Sequence, residues 1–266
     1  MIGLDLETIA VDVREGVAWL TLNRPESLNA WNTQLAKELL AAIDHAADHR
    51  EVRAIVLTGA GRAFSSGADL TADGGLGADG SPDVLTRLRG VFNPLLLRVR
   101  TVPKPVIAAV NGPAAGIGCS LALAADLIVA AESAYFLLAF VNIGLGLDGG
   151  ASLSLPARVG HARAFEMAYL GERIEATRAL GWGLVNQVVP DAELEPATAA
   201  LAARLASGPP GSYAAIKRTL NDRLYAGFDE LLDLEAVLQQ ERAESADFAE
   251  GVLAFMHKRP PKFTGS

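Results

Sequence analysis

The chain has 266 residues, half of them hydrophobic, with a formal net charge of −8. That is enough apolar material for a sizeable core, and an acidic balance without basic runs argues against a nucleic-acid surface. A single cysteine, Cys119, excludes an internal disulfide framework and fits a reducing, cytoplasmic setting.

In chain order, "ETIAVDVREGVAWLTLNRP" alternates apolar and polar residues around "REG" and predicts a β-hairpin. The opening stretch has neither the basic region nor the apolar run of a secretory signal. "NTQLAKELLAAIDHAADH" has helical spacing, with Asn32 as N-cap. His45 and His49 lie on that helix near Asp48 and Arg50; they are read as solvated surface, and no metal site is expected. "RAIVLTG" (53–59) predicts a short buried strand, followed by a loop at 63–70. The glycine-rich 73–83 suggests a flap beside a site, and a helix follows from Asp83 to Arg100. "KPVIAAVNG" (104–112) is strand then turn, 114–126 a helix entered through glycines, and 127–132 another strand. Beyond 150 the spacing predicts helices over 150–158, 160–170, 175–181, 191–207, 210–225, 229–242 and 244–257, with a strand at 184–189. The two longest sparsely charged stretches, 105–125 and 133–157, are broken by Gly, Pro and Asn, so no membrane span is expected. Strands alternating with helices, then helices alone, give an α/β core over 1–206 and a helical lobe over 207–266, divided at "SGPPG".

Three loops follow buried strands: "AFSSGADL", "NGPAAGIGCSLALAAD" and "FVNIGLGLDGG". Glycines there let a ligand approach the backbone, and two N–H groups from different loops can hold an oxyanion. The alternative is that they are tight turns. Asp148 is the only charged side chain between Glu132 and Arg158. An acid in apolar company is paired, capping a helix, or working. Cys119 has no nearby histidine to activate it and is read as a buried filler.

Together, "TLNRPESLNAWN", "AIVLTGAGRAFSSGADL", "PKPVIAAVNGPAAGIGCSLALAADLIVA" and "ALGWGLVNQVV" resemble the crotonase (enoyl-CoA hydratase/isomerase) superfamily, from about residue 6 to the C-terminus. The resemblance implies a crotonase-like spiral of ββα units and a helical C-terminal trimerisation lobe. It implies a homotrimer or a hexamer of two trimers, acyl-CoA thioester substrates, and no cofactor beyond that substrate. By the same resemblance the backbone N–H groups of Ser66 and Ile117 form an oxyanion hole. Ser66, Gly67, Ala68, Asp69, Gly116 and Phe140 line the acyl-CoA, and Arg24 and Lys262 are candidates for its phosphates, Lys262 from a neighbouring subunit. Gly118, beside Ile117, is expected where a positive φ or a close approach demands glycine.

Hydratases of the family carry two glutamates, and the matching positions here are Ser120 and Phe140. Neither transfers a proton near neutral pH. "AFVNIGLGLDGGASLSLPARVG" is similar to the ring-1,2-epoxyphenylacetyl-CoA isomerase branch, whose aspartate falls on Asp148. This implies an isomerase in which one aspartate shuttles a proton between carbons. Two functions stand as alternatives: an enoyl-CoA hydratase using Asp148 alone, and a non-catalytic CoA- or RNA-binding member. A related dehalogenase uses a histidine where this chain has Asn93, which disfavours that chemistry. The alternative for Asp148, compatible with the proton-shuttling role, is the N-cap of the helix beginning near Gly149, and a strong cap would depress its pKa.

Overall fold

The structure is a computed structural model and describes residues 5–70 and 82–266. The suggested flap at 73–83 therefore falls, apart from Pro82 and Asp83, outside the described residues.

The hairpin joins β1 (Ile9–Arg14) to β2 (Val17–Leu22) through Glu15 and Gly16, both at positive φ. Two such residues suit the right-handed twist of paired strands. The chain then repeats one manoeuvre. A strand joins a large sheet, a short extended segment joins a small one, and a helix returns. β2 is followed by a bridge residue, Trp31, and α1 (Thr33–Asp48). β3 (Ala54–Gly59) is followed by the segment 65–68 and a helical run of α2 (Val84–Arg87), a π turn (Leu88–Phe92) and α3 (Asn93–Thr101). β4 (Val106–Val110) leads to β5 (Ala114–Ala115) and α4 (Ile117–Ala124). β6 (Leu127–Ala131) leads to β7 (Tyr135–Leu137) and α5 (Ala151–Leu170). β8 (Ile174–Glu175), α6 (Ala176–Trp182), β9 (Gln187–Val189) and α7 (Leu194–Ala206) complete the core. Three helices follow: α8 (Pro210–Leu224), α9 (Phe228–Ala243) and α10 (Ala246–Met256).

The large sheet runs β1-β2-β3-β4-β6-β9, antiparallel only at β1–β2. The small sheet runs β5-β7-β8 and is extended by the bridges Ser65–Ala114 and Trp31–Ala68. A parallel sheet is covered on both faces, which is why β4 reads "VIAAV" with every residue buried. α1 buries Leu35, Leu39, Ala42, Ile43 and Ala46 at helical spacing, and the Asn32 side chain accepts the Leu35 N–H at 2.8 Å.

Several elements depart from the sequence pattern. Residues 114–115 are strand, so the helix starts only at Ile117. The helices expected at 150–158 and 160–170 form one element kinked at Gly160, where φ is 76° and ψ 173°. The strand expected at 184–189 is shorter, at 187–189. β7 and β8 went unread, being three and two residues long.

Candidate active site

The loops after β3 and β4 are stitched together by backbone hydrogen bonds. Ser65 N–H donates to Pro113 O, and Ala115 N–H to Ser65 O, both at 2.9 Å. A Cβ built on Gly116 would lie 3.7 Å from Gly67 Cα and 3.9 Å from Phe140 Cε1. Three of the residues expected to line the acyl group thus converge, with backbone against backbone.

The donors on these loops correct one expectation. Ser66 N–H donates to Leu28 O at 2.9 Å and its hydroxyl to Ser27 O, so that amide is already spent inside the fold. The Trp31–Ala68 bridge uses Gly67 O and Asp69 N–H, leaving the Ala68 N–H with no acceptor among the described residues. Ile117 is the first residue of α4, so its N–H has no intrahelical partner. The uncommitted pair is therefore Ala68 and Ile117, and Ser66 serves as a fastener of the loop. Gly118 is required by close approach rather than by φ: a Cβ there would meet Ser65 Cβ and Oγ at 2.6 Å.

Asp148 is 8% exposed. Its Oδ2 accepts from Gln239 Nε2 at 3.0 Å, while its Oδ1 is buried with no hydrogen-bond partner among the described residues. Its main-chain carbonyl is fixed by the Ser120 hydroxyl at 2.9 Å. Burial, and then the like charge of Glu235, push the carboxyl up to about 7, against smaller opposing contributions from Gln239 and Arg87. The capping role considered for Asp148 is not what the structure has. The N-cap of α5 is Gly150, at φ 75°, and no side chain at that position caps. The N–H groups of Gly150 and Ser152 donate instead to Glu235 of α9, at 2.6 and 3.0 Å. Glu235 takes the helix terminus and leaves Asp148 without those donors, so the pKa depression expected of a cap does not arise.

α9 organises the whole neighbourhood. Gln239 also accepts the Gly146 N–H at 2.9 Å. Gln240 accepts the N–H groups of Val84 and Leu85 and donates to Pro82 O, which ties down the start of α2. α2 carries Arg87, whose pKa is lowered by burial against the opposing pull of Asp148 and Asp83. Asn93 donates to Leu232 O at 2.9 Å. None of the α9 contacts was read from sequence, because no motif links Glu235 or Gln239 to a loop 85 to 91 residues earlier. The available signal was a Glu and a Gln one turn apart (235 and 239) on a leucine-rich helix.

Arg24 is paired rather than free. Its guanidinium meets Asp69 at 3.1 Å and Ala30 O at 2.6 Å, with both charged side chains largely covered. Lys262 lies by α10, where its N–H donates to Glu250 beside the Glu250–Arg259 ion pair, among residues that do not include the Asp148 cluster. Cys119 is fully buried, and burial pushes its thiol up to about 12, which makes it inert. His45 and His49 are half-buried rather than solvated, their rings 5.9 Å apart. No group of three or more His, Cys, Asp or Glu is arranged for a metal among the described residues. No described helix is long and apolar enough to cross a membrane.

The sequence profile of the family described as enoyl-CoA hydratase/isomerase matches residues 12–266. A Rhodobacter capsulatus protein named "Probable enoyl-CoA hydratase" is 48% identical over 262 residues, 98% of this chain and all of that protein. The 1,2-epoxyphenylacetyl-CoA isomerase of Escherichia coli is 42% identical, over 98% of this chain and 99% of its own. A crystal structure of an enoyl-CoA hydratase from Mycobacterium avium subsp. paratuberculosis superposes with a TM-score of 0.87 at 40% identity, covering 97% of this chain and 99% of that one.

Proposed function

The chain belongs to the enoyl-CoA hydratase/isomerase family, and within it we propose an acyl-CoA isomerase that moves a double bond by proton transfer through Asp148. One observation carries this reading: a buried carboxylate oxygen, Asp148 Oδ1, with no partner among the described residues and a carboxyl raised to about 7. A general base matched to neutral pH needs that environment. The thioester oxygen is taken by the N–H groups of Ala68 and Ile117. Asp148 removes a proton from the carbon next to the thioester of a 3-enoyl-CoA, and negative charge develops on the thioester oxygen between the two amides. The same carboxyl returns the proton to the γ carbon, and the double bond ends at position 2. No atom is gained or lost, and CoA enters as part of the substrate, so the reaction needs no cofactor.

Hydration is the second reading, favoured by the printed names of the Rhodobacter and Mycobacterium relatives. It wants a second proton-transferring group to activate water, and Ser120 and Phe140 supply none. The test is product analysis with 3-enoyl-CoA and 2-enoyl-CoA supplied separately. Isomerisation gives 2-enoyl-CoA from the first and no 3-hydroxyacyl-CoA from the second; robust hydration overturns the reading. Asp148→Asn is expected to lower isomerisation by at least about 10²-fold while the protein still folds and binds CoA.

The exposed row Ile216, Leu220 and Leu224 on α8 fits burial against further copies of this chain in a trimer or hexamer. Light scattering at micromolar concentration tests this, and a monomer refutes it.

A further inference from the structure

The contacts that α9 makes with the acid loop are separate from the reacting atoms. Glu235 and Gln239 lie one turn apart on α9, Glu235 4% and Gln239 1% exposed. Gln239 is bonded to both sides of a short loop: its Oε1 accepts from Gly146, and its Nε2 donates to Asp148 Oδ2. An amide held at both ends cannot rotate, so the carboxylate oxygen that it engages is fixed. Burial raises the Glu235 carboxyl, and three donors, Gly150 N–H, Ser152 N–H and the Ser152 hydroxyl, work against that by favouring its charged form. Glu235 leaves a carboxylate beside the carboxylate of Asp148. Among the described residues the charged groups that act on Asp148 are Glu235 from α9 and Arg87 from α2, with opposite signs.

We propose that Glu235 and Gln239 are positioning residues for Asp148: Gln239 locks Oδ2 so that Oδ1 is the oxygen presented to the substrate, and Glu235 supplies the like charge that keeps that oxygen basic. This rests on Asp148 being the base. Two neighbouring carboxylates cannot both ionise easily in a water-poor site, so the one with fewer donors holds its proton to higher pH. Here Glu235 has three donors and Asp148 has one side-chain donor, which assigns the proton to Asp148. The roles have opposite signs. Removing the Glu235 charge makes Asp148 a weaker base, and removing the Gln239 donor destabilises its ionised form and makes it a stronger one.

The experiment is the pH profile of kcat/KM for 3-enoyl-CoA isomerisation in wild type, Glu235→Gln, Gln239→Leu and Asp148→Asn. The acidic limb of Glu235→Gln is expected to move down by about one pH unit, and that of Gln239→Leu to move up, each with reduced kcat. Loss of rigidity alone lowers kcat without moving the limbs in opposite directions. Unmoved limbs in both variants, with Asp148→Asn inactive, overturn the positioning role and leave the base in place. An active Asp148→Asn overturns the base and the positioning role with it. If Glu235→Gln does not fold, Glu235→Asp and Gln239→Leu decide. An upward limb in Gln239→Leu with a wild-type midpoint in Glu235→Asp supports the proposal, and an unmoved limb in Gln239→Leu overturns it.

Discussion

The Ser120 hydroxyl donates to the main-chain carbonyl of Asp148 at 2.9 Å, and Ser120 is 1% exposed. Where a two-carboxylate hydratase of the family holds its first glutamate, this chain has a fastener for the acid placed 28 residues later. Ser120→Ala leaves a buried carbonyl with one fewer donor, so the protein is expected to lose about 1–2 kcal/mol in chemical denaturation and several-fold in kcat. Ser120→Glu is expected to abolish isomerisation without creating 3-hydroxyacyl product, because a further carboxyl is buried beside Asp148 and Glu235 with no partner provided for it. Hydration by Ser120→Glu would show that only the glutamate separates the two chemistries.

The raised carboxyl of Asp148 sets a pH dependence in activity and in stability. In the proposed mechanism the ionised form is the base, so kcat/KM is expected to rise with pH through a midpoint of about 7. Stability runs the other way. The native state keeps a proton that the unfolded chain loses at the ordinary carboxyl value of about 4, so stability falls as pH rises from about 4 through about 7. Asp148→Asn lacks this loss and is expected to be more stable than wild type at pH 8, by about 4 kcal/mol at most, read as a shift in the urea midpoint.

Ala68 and Ser66 are distinguished by their amides rather than by their side chains. Replacing Ala68 with lactic acid, which exchanges its N–H for an ester oxygen, is expected to lower kcat by about 10²-fold or more, as loss of an oxyanion donor does. The corresponding exchange at Ser66 breaks the bond to Leu28 O and is expected to cost stability while leaving most of kcat. Equal rate losses at both positions would refute the assignment.

Gly118 faces Ser65 too closely for any side chain. Gly118→Ala suffices to push the Ser65 backbone, and the loop that carries Ala68 moves with it. The expected result is a tenfold or greater fall in kcat with about 1–3 kcal/mol of stability lost, seen together in kinetics and thermal melts.

Much of the large sheet was legible because β2, β3, β4 and β6 are five- or six-residue, mostly apolar runs, two of them closed by turn signals, as in "RAIVLTG" and "KPVIAAVNG". The repeated unit was not. Its second strand shrinks to Ala114–Ala115, or to the single bridge residues Trp31, Ser65 and Ala68, too short for any alternation to register. The isolation of Asp148 in its segment was visible, and so was the interest of the glycine loops. The identity of the free amide in "FSSGAD" was not, because it depends on Leu28 reaching across to Ser66. The helix terminus is hidden for a similar reason: local sequence offers Asp148 as an alternative cap, whereas the bond is made by Glu235, 85 residues away.

That distance also fixes when the site comes into being during synthesis. Every element bearing the oxyanion loops and the acid has left the ribosome before Gln239 is translated. A nascent chain ending short of α9 carries Asp148 with both carboxylate oxygens unpartnered by Gln239, the α5 terminus without the Glu235 carboxylate, and the start of α2 without Gln240. The surroundings of Asp148 are therefore a property of the finished polypeptide: a prematurely terminated product can build most of the large sheet and still lack the contacts that hold this carboxylate.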